Sequence, residues 1–255
     1  MGKYFSTTLK PVLPVAVMIQ DDKTDRPFTQ QDLFWDWFAF DVPKGACRLI
    51  SAALLVRGED GSPQTERDMQ IFFAKSDANG TAPTSLGTGN ATADGFGFYN
   101  NLLGHMVFDI TTNSIGLDYM GMASFASGRE GLTPNGGLVL QGEPNSGTNV
   151  GYDKLYCGGI GGASNSWDFS TGVLANGAVT SGASTDITVK TVDARKCFAP
   201  GDIICVHDSD TAIGTVASVP DATSILLESA NGVAIADEDE IVNVRPVTVI
   251  LGFEQ

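Results

Sequence analysis

The stretch CFAPGDIICVHDSDTAIGTVASV, residues 197–219, gathers Cys205, His207, Asp208 and Asp210 into six consecutive positions. Thiolate, imidazole and carboxylate are the groups that ligate zinc or move protons, so the chemistry on offer is a metal centre or an acid–base pair. Zinc takes three or four protein ligands, and no third ligand stands at a fixed spacing; the chain holds two histidines, and the other, His105, is far upstream. The flanking residues favour a plainer reading. Strands over 203–206 and 212–216 leave HDSDT as the connection, and those residue types accept turn geometry and cap their own backbone. The stretch is predicted to be a hairpin tip.

Other chemistries find no better footing. DANG at 77–80, HDSD at 207–210 and DEDE at 237–240 are oxygen-rich turns of the kind calcium uses, yet none has the spaced D-x-D-x-D-G loop with a closing Glu. No G-x-S-x-G elbow is present, and GGIGGASNS lacks the Lys and Ser/Thr of a phosphate loop. Glycoside hydrolysis needs two facing carboxylates, and a sequence with 30 acidic residues does not say which of them face one another. Cys47, Cys157, Cys197 and Cys205 form no C-x-x-C pair and sit in apolar contexts, which predicts reduced, buried thiols. No catalytic residue, cofactor-binding residue or metal ligand is assigned, no cofactor is expected, and the chain is expected not to be an enzyme.

The elements that would position any site are strands. Gly is 30 of 255 residues and charged residues are 18%, below the usual quarter, which fits a turn-rich β protein. A formal charge of −15 repels phosphate backbones, so nucleic acid is not expected as a direct partner. LPVAVMI at 13–19 is too short for a spanning helix or a secretory core, and no membrane partner is expected. Gly2 with Ser6 fits a myristoylation pattern, and Asn79 and Asn90 fit the glycosylation sequon; patterns this short arise by chance.

Residues 1–31, interrupted by Pro11, Pro14 and Pro27, read as an extended N-terminal arm of the kind that lies across a neighbour. In DLFWDWFAFDVPKG, Phe34, Phe38 and Phe40 share one parity and Trp35 and Trp37 the other, which predicts a central strand apolar on both faces rather than a sugar-binding platform. CRLISAALLVRG, RDMQIFFAKS, GHMVFDIT, GGLVLQGEPNSG and GYDKLYCGGI supply further strands, while GLDYMGMASFAS fits strand or short helix. The loop 77–95 is long enough that it should either act or pack on something. Residues 161–182 read as a Gly/Ser/Ala-rich connector. TDITVKTV, GDIICVHD, AIGTVASV, SILLES and DEIVNV then make a small five-stranded barrel or meander over 183–244, with no helix needed. RPVTVILGFE places Val247, Val249 and Leu251 on one parity and should return to the first sheet. The fold expected is all-β: an antiparallel β-sandwich, jelly-roll-like, over 32–160 plus 245–255, with the barrel inserted near the C-terminus.

FDVPKGACRLISAALLVRG, then QIFFAKS, a Gly/Thr loop, the phrase FAPGDIICVHDSDTAIGTVASVPDATSILLES and the terminal RPVTVILGFE resemble virion structural proteins of tailed marine phages, especially cyanophages. The resemblance covers most of the chain by texture and carries over no site residues. It implies a virion component, a capsid decoration or cement protein that bridges subunits on the head surface after assembly in the host cytoplasm. The implied partners are the major capsid protein and further copies of the chain, as a homotrimer. The competing reading is a tail-fibre, spike or neck component that binds a glycan or receptor through the 77–95 loop and exposed aromatics.

Overall fold

Strict alternation decides the main unit. Val247, Val249, Leu251 and Phe253 are buried while the residues between them are half-exposed, the signature of a strand with one face on a core. The computed structural model describes residues 3–13, 28–57, 68–76, 82–89, 91–95, 102–108, 114–117, 120–126, 138–141, 143–144, 152–162, 172–207 and 211–255. Its strands in chain order begin with β1 (Tyr4–Leu9), β2 (Leu33–Pro43), β3 (Ala46–Arg57), β4 (Met69–Ala74) and β5 (Leu102–Phe108). Next come β6 (Ser114–Leu117), β7 (Met120–Ala126), β8 (Leu138–Gln141), β9 (Glu143–Pro144) and β10 (Tyr152–Gly161). The last group is β11 (Val173–Ala175), β12 (Asp186–Lys190), helix α1 (Ala194–Cys197), β13 (Ile203–Val206), β14 (Ala212–Ser218), β15 (Ser224–Leu227), β16 (Glu240–Asn243) and β17 (Val247–Glu254).

Two antiparallel sheets form a sandwich. One runs β1-β17-β3-β7-β6 with β8 on β3; the other runs β2-β10-β4-β5 with β9 on β10. Their facing residues share one core that includes Phe34, Leu54, Ile71, Phe108, Leu155 and Phe253, each worth about 1.5–3 kcal/mol when fully buried. β11, β12, β15, β14, β13 and β16 close into a barrel with its own core of residues such as Val189, Ile204, Ile213, Val216 and Ile225. β17 leaves the barrel and enters the first sheet between β1 and β3, so the barrel is an insertion in an all-β sandwich. No helix among the described residues is long and apolar enough to cross a membrane.

Four expectations change. Residues 4–9 are extended, but they pair antiparallel with the chain's own β17, from Tyr4 opposite Glu254 to Leu9 opposite Val249, and Leu9 and Leu13 are buried in the main core. Residues 4–9 and Leu13 are thus part of the sandwich rather than a detached arm; residues 14–27 lie outside the described residues. β2 is not central: among the described strands it stands at the end of its sheet, next to β10 alone. Two register shifts, one between Trp35 and Phe38 where Gly158 is the one opposing residue and one at Phe34 between Gly159 and Ile160, break its parity and put Phe34 and Trp35 together in the main core. The barrel has six strands, because VLA at 173–175, inside the expected connector, pairs with both β12 and β16. A helical turn, α1, capped by the Asp193 carboxylate on Arg195 N–H, packs Ala194 and Cys197 into the barrel core, where no helix is expected from the sequence. GLDYMGMASFAS, open between strand and helix, contributes to β6 and all of β7.

Candidate functional site

The hairpin that could have been a metal site is built as a hairpin. β13 and β14 pair antiparallel, with a bulge between Ile204 and Cys205, and residues 208–210 of the turn lie outside the described residues. Cys205 packs into the main core beside Val242 and Val244. The His207 side chain is 12% exposed, and its Nδ1 stands 3.4 Å from Glu240 Oε2 on β16, while its backbone N–H donates to the Glu240 carbonyl at 2.7 Å. His105 stands on β5 in the sandwich, exposed and stacked on Phe72 at 5.6 Å between ring centres. The two histidines thus belong to different units. Among the described residues no group of three or more His, Cys, Asp or Glu side chains is placed to hold a metal ion.

The oxygen-rich turn at 237–240 spends its carboxylates on structure. Asp237 accepts the Gly177 N–H at 2.8 Å and pairs with Lys190 at 3.2 Å; Asp239 accepts the Ala236 N–H at 2.6 Å. The backbone hydrogen bond from Gly177 and the Lys190 ammonium hold the Asp237 carboxyl below the usual range. DANG at 77–80, Asn79 and Asn90 lie outside the described residues. All four cysteines are buried thiols. Burial pushes Cys157 up to about 12, and burial followed by the Asp153 charge pushes Cys47 up to about 11, so neither is a thiolate at neutral pH.

The loop after β4 packs on the sandwich. Leu86 is fully buried against Leu33 and Ile160 on the outer side of the second sheet, the Asp36 carboxylate accepts the Leu86 N–H at 2.9 Å, and the Trp37 indole N–H donates to the Thr84 carbonyl at 2.8 Å. Gly158 makes room for this: a Cβ there would stand 2.6 Å from Leu86 and 3.4 Å from the Trp37 ring. A shallow groove of about 400 Å³ opens at the other sheet, lined by Ala46, Cys47, Arg48, Val139, Glu254 and Gln255. Arg48 pairs in register with both Glu254 and Val139, and Glu254 accepts the Tyr4 hydroxyl at 3.1 Å.

A dense polar cluster lies where the barrel meets the sandwich, and no motif in the sequence announces it. Asp202, just before β13, is fully buried. Arg57 at the end of β3 grips it with both guanidinium nitrogens, Nη1 to Oδ2 at 2.7 Å and Nη2 to Oδ1 at 2.8 Å. Asn243 Nδ2 and the Ala199 N–H donate to Oδ2 at 3.0 and 2.8 Å, and Lys10 Nζ stands 3.6 Å from Oδ1. A buried carboxylate with this many donors is satisfied rather than poised. Residues 57 and 202 are joined only by the fold, so sequence spacing gives no hint of the pair.

No protein-family model matches the chain, and no curated protein matches it. Among solved structures, one titled "Crystal Structure of the STIV MCP" aligns over 99% of this chain and 97% of its own at 10% identity with a TM-score of 0.18, too low to carry an argument about fold or function.

Proposed function

We propose that the chain is a structural protein of a virus particle, a decoration or cement protein that binds the head shell and bridges its subunits as a homotrimer. The observation that carries this reading is the use made of the polar side chains. Asp202, Asp32, Asp36, Asp153, Asp237 and Asp239 all cap backbone or pair with cations that hold the fold together. Two β units joined by a buried polar joint make a stiff body suited to spanning neighbouring subunits, and the −15 formal charge keeps its exposed surface hydrated. The resemblance of the sequence to virion proteins of tailed marine phages points the same way. The glycan-binding alternative gave the 77–95 loop the work of touching sugar, and residues 82–95, as far as they are described, are instead tied down on the sheet beneath.

Fractionating assembled particles on a density gradient tests the proposal. The chain should travel with heads separated from tails, at a fixed ratio to the major capsid protein. Its appearance in tail or fibre fractions alone would replace this reading with the alternative.

A further inference from the structure

The polar joint assigns the barrel a mechanical role that does not depend on the reading above. The barrel closes on itself through its own strand ladder and has a core of its own, apart from Cys205 and Val242, which face the sandwich. Its covalent links to the sandwich are residues 162–172 and the short return through Arg245 and Pro246. Across the contact run an apolar strip, Ile203, Cys205, Val242 and Val244, and a polar grip that converges on one carboxylate. Asn243 and the Ala199 N–H fix that carboxylate within the barrel wall, while Arg57 and Lys10 reach it from the sandwich side. Arg57 also donates its N–H to the Pro246 carbonyl at 3.0 Å, on the return link itself, and Leu13 N–H donates to the Val244 carbonyl at 2.8 Å.

We propose that the Asp202–Arg57 pair is a latch that fixes the angle of the barrel on the sandwich, and that the barrel swings as a folded unit about Arg245–Pro246 when the latch is removed. The physical reason is the guanidinium. With the Arg57 side chain 12% exposed, loss of its counter-charge leaves a buried cation, and opening the joint hydrates it at the cost of the apolar strip Ile203, Cys205, Val242 and Val244, while the rest of each core stays packed.

The native thiols report the motion. Cys205 is 4% exposed and faces the joint, Cys197 lies in the barrel core and Cys157 in the sandwich core. Thiol modification of the full chain, mapped by peptide mass spectrometry, should be slow at all three in the parent. In D202N, Cys205 should react about tenfold faster while Cys157 and Cys197 stay within about twofold. The milder R57K keeps the charge but loses the fork, so it should show a smaller rise at Cys205 alone, and it serves if D202N does not fold. The double variant R57M/D202N removes the buried cation, keeps an amide oxygen to accept from the Ala199 N–H, and should protect Cys205 again. Cys205 unchanged in the folded single variants, or all three thiols rising together, overturns the latch.

Discussion

Leu13→Ala separates an N-terminal segment that belongs to the fold from one that hangs off it. Leu13 is 1% exposed, packs in the main core and donates its N–H to the Val244 carbonyl at 2.8 Å. Truncating a buried leucine costs about 2–5 kcal/mol, the transfer of the lost methyls plus whatever cavity fails to collapse. Leu13 is tied to the barrel return, where the Val244 N–H itself donates to the Ile203 carbonyl at 3.0 Å, so little collapse is available. For a chain of this size about 1 kcal/mol moves the melting temperature by roughly 2–4 °C, so L13A should melt roughly 4–20 °C below the parent. Val12→Ala is the control: Val12 is 47% exposed, and its loss should cost no more than about 0.5 kcal/mol. Differential scanning calorimetry of the three proteins gives the comparison. An L13A transition within about 1 °C of both the parent and V12A would refute the placement of this segment in the core.

Gly159→Ala should destabilise by about 1–3 kcal/mol in a urea titration, because the new Cβ would stand 2.4 Å from the buried Trp35 ring; an unchanged midpoint would contradict the packing of β10 on β2. His207→Ala should cost about 1 kcal/mol, more than an exposed turn residue, since the imidazole is mostly buried against Glu240; a cost near zero would return it to the turn. Asp193, held low chiefly by its hydrogen bond from Arg195, and Asp237, held low chiefly by the Gly177 N–H, are both on the barrel. A depressed folded-state value means their contribution is complete above the unfolded carboxylate range and is lost as pH falls through the folded value. Carboxyl carbon shifts followed by NMR should therefore place both midpoints below 3.8, and midpoints at or above it would contradict the pairings.

Much of this fold is legible because a half-buried strand writes its burial in alternate residues. Val247, Val249 and Leu251 announce β17 and its return to the first sheet. Aromatic content is less informative than alternation: FWDWFAF looks like a central strand, yet β2 is apolar on both sides at the end of its sheet because Leu86 folds over one face and a bulge against Gly158 turns Trp35 inward. Three-residue elements escape altogether. Val173–Ala175 is too short to show a period, and the Gly, Ser and Ala around it dominate the composition, although Val173 and Ala175 are fully buried. The N-terminal prolines suggest a detached arm, but six residues of β-forming sequence before them suffice for a strand. The Asp202 cluster was hidden for a different reason. Its members come from four separate segments, so only tertiary packing brings Lys10, Arg57, Asp202 and Asn243 together, and the GD that starts β13 looks like an ordinary turn.

Imaging assembled particles by electron cryomicroscopy tests the shell-binding role most directly. The role requires density for the sandwich and barrel on the head surface, in threefold groups of about 80 kDa, three chains of 26.8 kDa, at a constant number per head. Heads that carry no such density, with the chain found only as a 26.8 kDa monomer in solution, would contradict it.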